Sequence, residues 1–176
     1  MQTRERLAFE ALKLRGRPAP LDEAQRRDWQ DRFNRGPAMQ AFGLHIDLED
    51  SQVVRTDLAA IEDRHRGGLG TAAVNGAVLA AIFDCALGVA GGLQFPGRRS
   101  GTCELSIKFL RPAAGPSVSA YAITLKKATQ LAFVESELYS GSRLCAVASG
   151  IVSLANSPVA VDGQADRAER FGPPGV

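Results

Sequence analysis

The spacing of apolar residues changes period along the chain and divides it into a helical front and a strand-rich body. Gly16 to Pro20 (GRPAP) breaks the chain, and Leu21–Arg35 then reads as a charged helix. Asp22 and Glu23 lie near its start and Arg32 and Arg35 near its end, as the helix dipole favours. Its acids and bases interleave, which predicts a solvated or packed-on surface helix, stopped by Gly36-Pro37. From Met39 the period falls to two. Phe42–Leu48 alternates, and Val53–Ile61 resumes the alternation after a Glu49-Asp50-Ser51 turn. A glycine-rich loop, His65–Gly70, leads into Asn75–Ala90, a helix apolar at nearly every position and closed by Gly91-Gly92. Strand patterns follow over Gly101–Leu110, Ser117–Thr129, Leu131–Ser140 and Arg143–Leu154, joined by short turns. The tail after Asn156, rich in Gly, Pro, Ala and charge, predicts disorder.

Strands joined by connections this short pair antiparallel. A helix apolar almost all round has to be wrapped on most sides. The pattern therefore predicts an α+β fold, an antiparallel sheet curled around one long helix. Residues 1–38 form a helical extension, 39–156 the domain and 157–176 a disordered tail.

Composition narrows the function classes. A chain of 176 residues, 45% hydrophobic and 23% charged, suits one soluble domain with a sizeable core. A formal net charge of +2 does not predict a nucleic-acid or membrane surface. The start, MQTRERLAFEALKLRGR, lacks the apolar core and cleavage site of a secretory signal. The apolar run Ala72 to Leu93 contains Asn75, Asp84 and several glycines, so a buried helix explains it better than a membrane span. Cys85, Cys103 and Cys145 show no CxxC spacing and are expected to be reduced and structural, in a cytoplasmic protein. His45 and His65 lack metal-ligand spacing, and His65 is expected to face solvent from its loop. Gly67-Gly68-Leu69-Gly70 fits no phosphate-loop frame, and no serine stands in a GxSxG elbow.

The chemistry concentrates on the apolar helix. Asp84 stands just past its middle, and burying a carboxylate costs several kcal/mol unless it is paired or hydrogen-bonded. No Lys or Arg lies between Arg66 and Arg98, which excludes a local salt bridge. Asp84 therefore either bonds a neighbouring strand or backbone amide and fixes register, or stands in a cleft as general base or nucleophile. At the helix start Asn75 can cap, and Gly76 leaves a backbone amide open to close approach at the positive end of the dipole. That is the make-up of an oxyanion hole. Gly76 and Asp84 are roughly 12 Å apart along one helix, whereas both would need to come within about 3 Å of one carbonyl. If both act on it, they come from different subunits, so the catalytic reading requires at least a dimer.

The segment Asn75-Gly76-Ala77 with Asp84 resembles the PaaI-like branch of the hotdog-fold thioesterases, whose His-Gly-Gly opens the central helix at the same spacing from an Asp. Thr102–Ala113 (TCELSIKFLRPA), Leu131-Ala132-Phe133-Val134-Glu135 and Phe42-Gly43-Leu44 extend the likeness over about Pro37 to Leu154. The resemblance implies hydrolysis of acyl-CoA thioesters without a cofactor. It implies Asp84 as base or nucleophile, the Gly76 amide as the carbonyl's partner, Thr102 as a water-orienting hydroxyl, and an assembly of two dimers. Asn75 takes the place of the family His, Ala77 that of the second Gly, and Leu69 that of a common Asn or Gln in a slightly longer loop. Lys108, Arg111, Lys126, Lys127 and the Arg98-Arg99 pair are candidates for the CoA phosphates or ordinary surface charge. Leu79, Phe83 and Phe109 are candidates for an acyl tunnel. The alternative function is a non-catalytic acyl-CoA-binding or regulatory hotdog domain. Interleaved acids in residues 1–40 argue against a DNA-binding arm, and a hydratase would need a catalytic histidine on the helix.

Overall fold

The computed structural model describes residues 3–58, 60–67 and 72–158, with side chains from 6 to 155. Leu69 and the predicted tail beyond Pro158 lie outside the described residues.

The body is a six-stranded antiparallel sheet around one long helix. The strands are β1 (Leu44–Asp47), β2 (Val53–Leu58), β3 (Arg98–Phe109), β4 (Val118–Lys127), β5 (Leu131–Ser140) and β6 (Arg143–Pro158), in spatial order β1-β2-β4-β5-β6-β3. The long helix α4 (Gly76–Gly92) packs across β2 to β6. Small inward residues let it lie close. Ala120 and Ala122 on β4 and Ala132 on β5 are fully buried beneath it, and the Thr124 hydroxyl donates to Ala90 O at 2.8 Å. The predicted strands match in number and order, and β5 matches to the residue. β6 runs two residues into the segment expected to be tail.

Gly91 and Gly92, expected to close the helix, lie inside it, and Leu93 is the C-cap. Their role is close approach. A Cβ built on Gly91 would stand 2.5 Å from Val152 Cγ2, and one on Gly92 2.9 Å from Ser100 Oγ. The helix is also less wrapped than its composition predicts. Its stripe of Gly76, Ala77 and Asp84 is exposed, while Phe83, Ala86 and Leu87 are fully buried against the sheet.

Two helices in the front are absent from the pattern reading. The helix α1 (Thr3–Arg15) covers the outer face of the sheet, burying Leu12 against Val53, Tyr121, Ile123 and Tyr139. This cover buries β4 on both faces, so Tyr121 and Ile123 are as dry as Ala120 and Ala122, which alternate with them. Lys13 holds α1 to the β1–β2 turn through Asp50 at 2.5 Å. The short α3 (Pro37–Phe42) begins where a stop was expected, because proline suits the first position of a helix as well as the end of one.

Between these helices the GRPAP segment is a strap. Arg17 N–H donates to Thr124 O and Ala19 N–H to Ser51 O, each at 2.7 Å, which turns the chain from the outer face of the sheet towards α4. It delivers α2 (Glu23–Asn34), capped by a reciprocal Asp22–Gln25 box, to the open edge of β1. There Asn34 Nδ2 donates to Ile46 O (2.8 Å) while its Oδ1 accepts from Ile46 N–H (2.7 Å). Gln30 Oε1 accepts from Leu48 N–H (2.7 Å) and Arg26 Nε donates to Leu48 O (3.0 Å). The polar face of α2 therefore does for β1 what another strand would do, and blunts the edge against pairing with other chains. No helix among the described residues is long and apolar enough to cross a membrane.

Candidate active site

The start of α4 is set by Asn75. Its Oδ1 accepts from Ala77 N–H at 2.8 Å, and its carbonyl takes Val78 and Leu79 N–H at 3.0 and 3.1 Å. Asn75 N–H in turn donates to His65 O, and Val74 N–H to Ala113 O, both at 2.8 Å. Of the first four amides of the helix, Gly76 N–H is the one without an acceptor among the described residues. It sits at the positive end of the helix dipole, where a developing negative charge is favoured. Gly76 opens into a cavity of about 340 Å³ with Leu79, Phe109 and Arg111, and Phe109 Cζ would stand 3.6 Å from a Cβ built there.

Asp84 opens into a different cavity, of about 410 Å³, formed by α4, the start of β3 and α2. Thr102 belongs to the same cavity. A Cβ on Gly88, one helical turn beyond Asp84, would stand 3.2 Å from Thr102 Oγ1. The hydroxyl therefore lies against the helix at Gly88, in the cavity that Asp84 also lines. Asp84 is exposed in the single chain rather than buried, and makes no ion pair or hydrogen bond among the described residues. The register-fixing alternative, in which it bonds a strand or backbone amide, is not what the structure has. Beside it, burial, and secondarily the charge of Asp84, push the Cys85 thiol up to about 11 from 9.0. A thiol so protonated is no nucleophile.

The remaining candidates are dispersed. Arg98 and Arg99 line the Asp84 cavity and Arg111 the Gly76 cavity, where it also donates to Leu144 O at 3.2 Å. Lys108 lies on the sheet beside Glu135 and Glu137, while Lys127 stands 5.1 Å over the Phe95 ring on the strand that also carries Lys126. Of the proposed tunnel residues, Leu79 and Phe109 line the Gly76 cavity, but Phe83 is fully buried in the core. Of the histidines, His45 is exposed, whereas His65 is not the solvent-facing residue expected. It is 2% exposed, its Nδ1 accepts from Glu62 N–H at 3.0 Å, and its carbonyl takes the Asn75 N–H, which holds it against the start of α4. All three cysteines are free, Cys145 buried and Cys103 exposed.

The residues that sequence reasoning missed are Trp29 and Phe33. They project from α2 at one-turn spacing, stack at 5.5 Å, and form a wall of the Asp84 cavity. Two aromatics on one face of an otherwise charged helix were the signal.

Residues 72–146 match the family model described as the thioesterase superfamily, a stretch that holds Gly76, Asp84 and Thr102. A thioesterase from Haemophilus influenzae superposes with a TM-score of 0.67 at 16% identity, covering 79% of this chain and 94% of that one. The PaaI protein from the phenylacetic acid degradation operon of E. coli does so with a TM-score of 0.66 at 17% identity, covering 76% and 95%. A conserved protein from Pseudomonas aeruginosa follows with 0.63 at 23% identity, covering 68% and 94%. No curated protein sequence matches the chain. The likeness establishes the hotdog fold that the resemblance implied, with the antiparallel sheet around one helix that the pattern predicted.

Proposed function

We propose that the protein hydrolyses acyl-CoA-type thioesters to free acid and thiol, at sites completed by two subunits. The observation that carries this reading is the pair without partners among the described residues, the Asp84 carboxylate and the Gly76 amide on α4, within the segment that matches the thioesterase superfamily. Roughly 12 Å of helix separates them, so one carbonyl meets the Asp84 of one subunit and the Gly76 of another. The exposed stripe of α4 between them suits a two-fold partner helix, and the reading requires a homodimer at least, extended to a dimer of dimers.

In the reaction, Gly76 N–H donates to the thioester oxygen and stabilises the charge that develops there. Water held by Thr102 adds to the carbonyl carbon as Asp84 takes its proton. Collapse of the tetrahedral intermediate breaks the carbon–sulfur bond, and the departing sulfur recovers that proton from Asp84. A thiol with a pKa of about 8.5 leaves without a dedicated acid, so no cofactor enters the reaction. Alternatively Asp84 attacks directly and water hydrolyses the resulting anhydride. Arg98 and Arg99 at one cavity and Arg111 at the other are the cations placed to meet CoA phosphates. The three free cysteines suit a cytoplasmic setting.

The test is thiol release from a panel of acyl-CoAs by wild type and Asp84→Asn. The reading expects turnover with at least one ester and its loss by about a hundredfold or more in the variant. Binding of CoA esters without any turnover would make the protein a non-catalytic acyl-CoA-binding domain instead.

A further inference from the structure

The Asp84 cavity does not end at the carboxylate. A second cavity, also of about 410 Å³, lies behind it and shares the lining residues Trp29, Phe33, Cys85 and Val89. Beyond that common wall it is bounded by Met39 and Ile46, and its polar residue is Arg32, whose guanidinium lies 5.0 Å over the Trp29 ring. A space of this size and apolarity, adjoining a site for a thioester carbonyl across shared side chains, suits the apolar part of the same substrate.

We propose that α2 is the acyl wall of the site, with the Trp29–Phe33 pair receiving an uncharged apolar chain that runs from Asp84 into the second cavity. The proposal rests on the thioester-hydrolysis reading and adds the substrate class, acyl groups long enough to pass the aromatic pair. The wall is positioned from behind. Trp29 and Phe33 share one face of α2, while Arg26, Gln30 and Asn34 on the adjoining face hydrogen-bond the edge of β1. The N-terminal extension thus has two faces with two tasks, anchoring to the sheet and recognising the chain.

Trp29 is the one tryptophan in the sequence, so its emission reports on the wall directly. Wild type is titrated with a non-hydrolysable octyl-CoA thioether and with CoA alone. A saturable blue shift with the thioether and none with CoA is expected, and Phe33→Ala weakens that binding about tenfold or more. In turnover, the ratio of kcat/KM for octanoyl-CoA to that for acetyl-CoA falls about tenfold in Phe33→Ala, and falls less in the volume-conserving Phe33→Leu. Equal loss on both esters, or no emission change with the thioether, overturns the acyl wall. Turnover of no ester by wild type overturns the hydrolysis reading alone, because the emission titration still decides whether Trp29 meets the chain.

Discussion

Gly76 and Asp84 stand on one helix and open into separate cavities with no lining residue in common. Their separation follows from helix rise alone and does not depend on how the rest of the chain packs. Each chain therefore offers the two halves of the proposed machinery apart, the amide at the start of α4 and the carboxylate at its middle.

Complementation tests this directly. Gly76→Pro removes the amide hydrogen while keeping the helix, because proline suits a first helical position and Asn75 already has the extended φ −61°, ψ 139° that a following proline requires. Gly76→Pro and Asp84→Asn are each expected to lose about a hundredfold or more in kcat. Mixed and reassembled, they recover about a quarter of wild-type activity, since half the dimers are hybrids with one intact site of two. A mixture as inactive as its parents would show that both groups act from one chain, or that one of them does not act.

Gly91 and Gly88 separate packing from chemistry. In Gly91→Ala the new methyl meets Val152 at 2.5 Å, a fully buried and stiff side chain, so overpacking of about 1–3 kcal/mol exceeds the roughly 1 kcal/mol gained in helix propensity. Its melting temperature falls by a few degrees. In Gly88→Ala the methyl meets only the Thr102 hydroxyl at 3.2 Å, which can turn away. With the helix propensity gained and nothing rigid in the way, that variant melts at or slightly above the wild-type temperature, while kcat drops about tenfold, as displacement of the proposed water-positioning group predicts. Calorimetry beside steady-state kinetics distinguishes the two outcomes.

Cys85 and Cys103 differ in reactivity. Burial, then the neighbouring Asp84 charge, raises the Cys85 thiol to about 11, whereas Cys103 is exposed. At pH 8 iodoacetamide labels Cys103 first, and Cys85 labels only as the pH approaches 11 or the protein unfolds. The sign follows from the raised value: the folded state holds the thiol proton that the unfolded state releases from 9.0 upward, so stability falls between pH 9.0 and about 11. Peptide mass spectrometry across pH reads the order of labelling.

The α1 arm is sensitive to acid. Burial works against the Asp50 carboxylate, but Lys13 and the amides of Gln52 and Val53 outweigh it and hold its pKa below 3.8. A lowered value contributes stability that is present above pH 3.8 and lost as the pH falls through the folded value. Proteolysis within residues 3–20 is expected to accelerate at acid pH before the sheet opens, and Asp50→Asn brings the same susceptibility at pH 7. Equal protection of the variant and wild type would remove the ion pair from the anchoring of α1.

Much of the fold is legible because burial on one face imposes a period. Leu131–Ser140 alternates against α4 and was readable to the residue, and Asn75 marked the helix start by its own capping chemistry. The period fails where a helix is held by a few contacts. In α1 the apolar residues Leu7, Phe9, Leu12 and Leu14 spread around the helix, and only Leu12 is buried, so no stripe announces it. Asp84 looked buried because its neighbours in sequence are. Its side chain leaves the helix on the open stripe, and which stripe stays open depends on where the sheet lies.

The sequence by itself determined the succession of strands about one helix, the first-turn amide of Gly76 without an intrahelical partner, and the distance that divides it from Asp84. These are local quantities, set by period, capping and rise per residue. Only the tertiary structure decided that Thr102 lies against Gly88, that His65 is buried beneath the helix cap, and that Trp29 and Phe33 of a charged helix wall the Asp84 cavity. Each joins residues distant along the chain: the spacing of Trp29 and Phe33 marks an apolar face on α2, but what that face meets is set by the packing of whole elements.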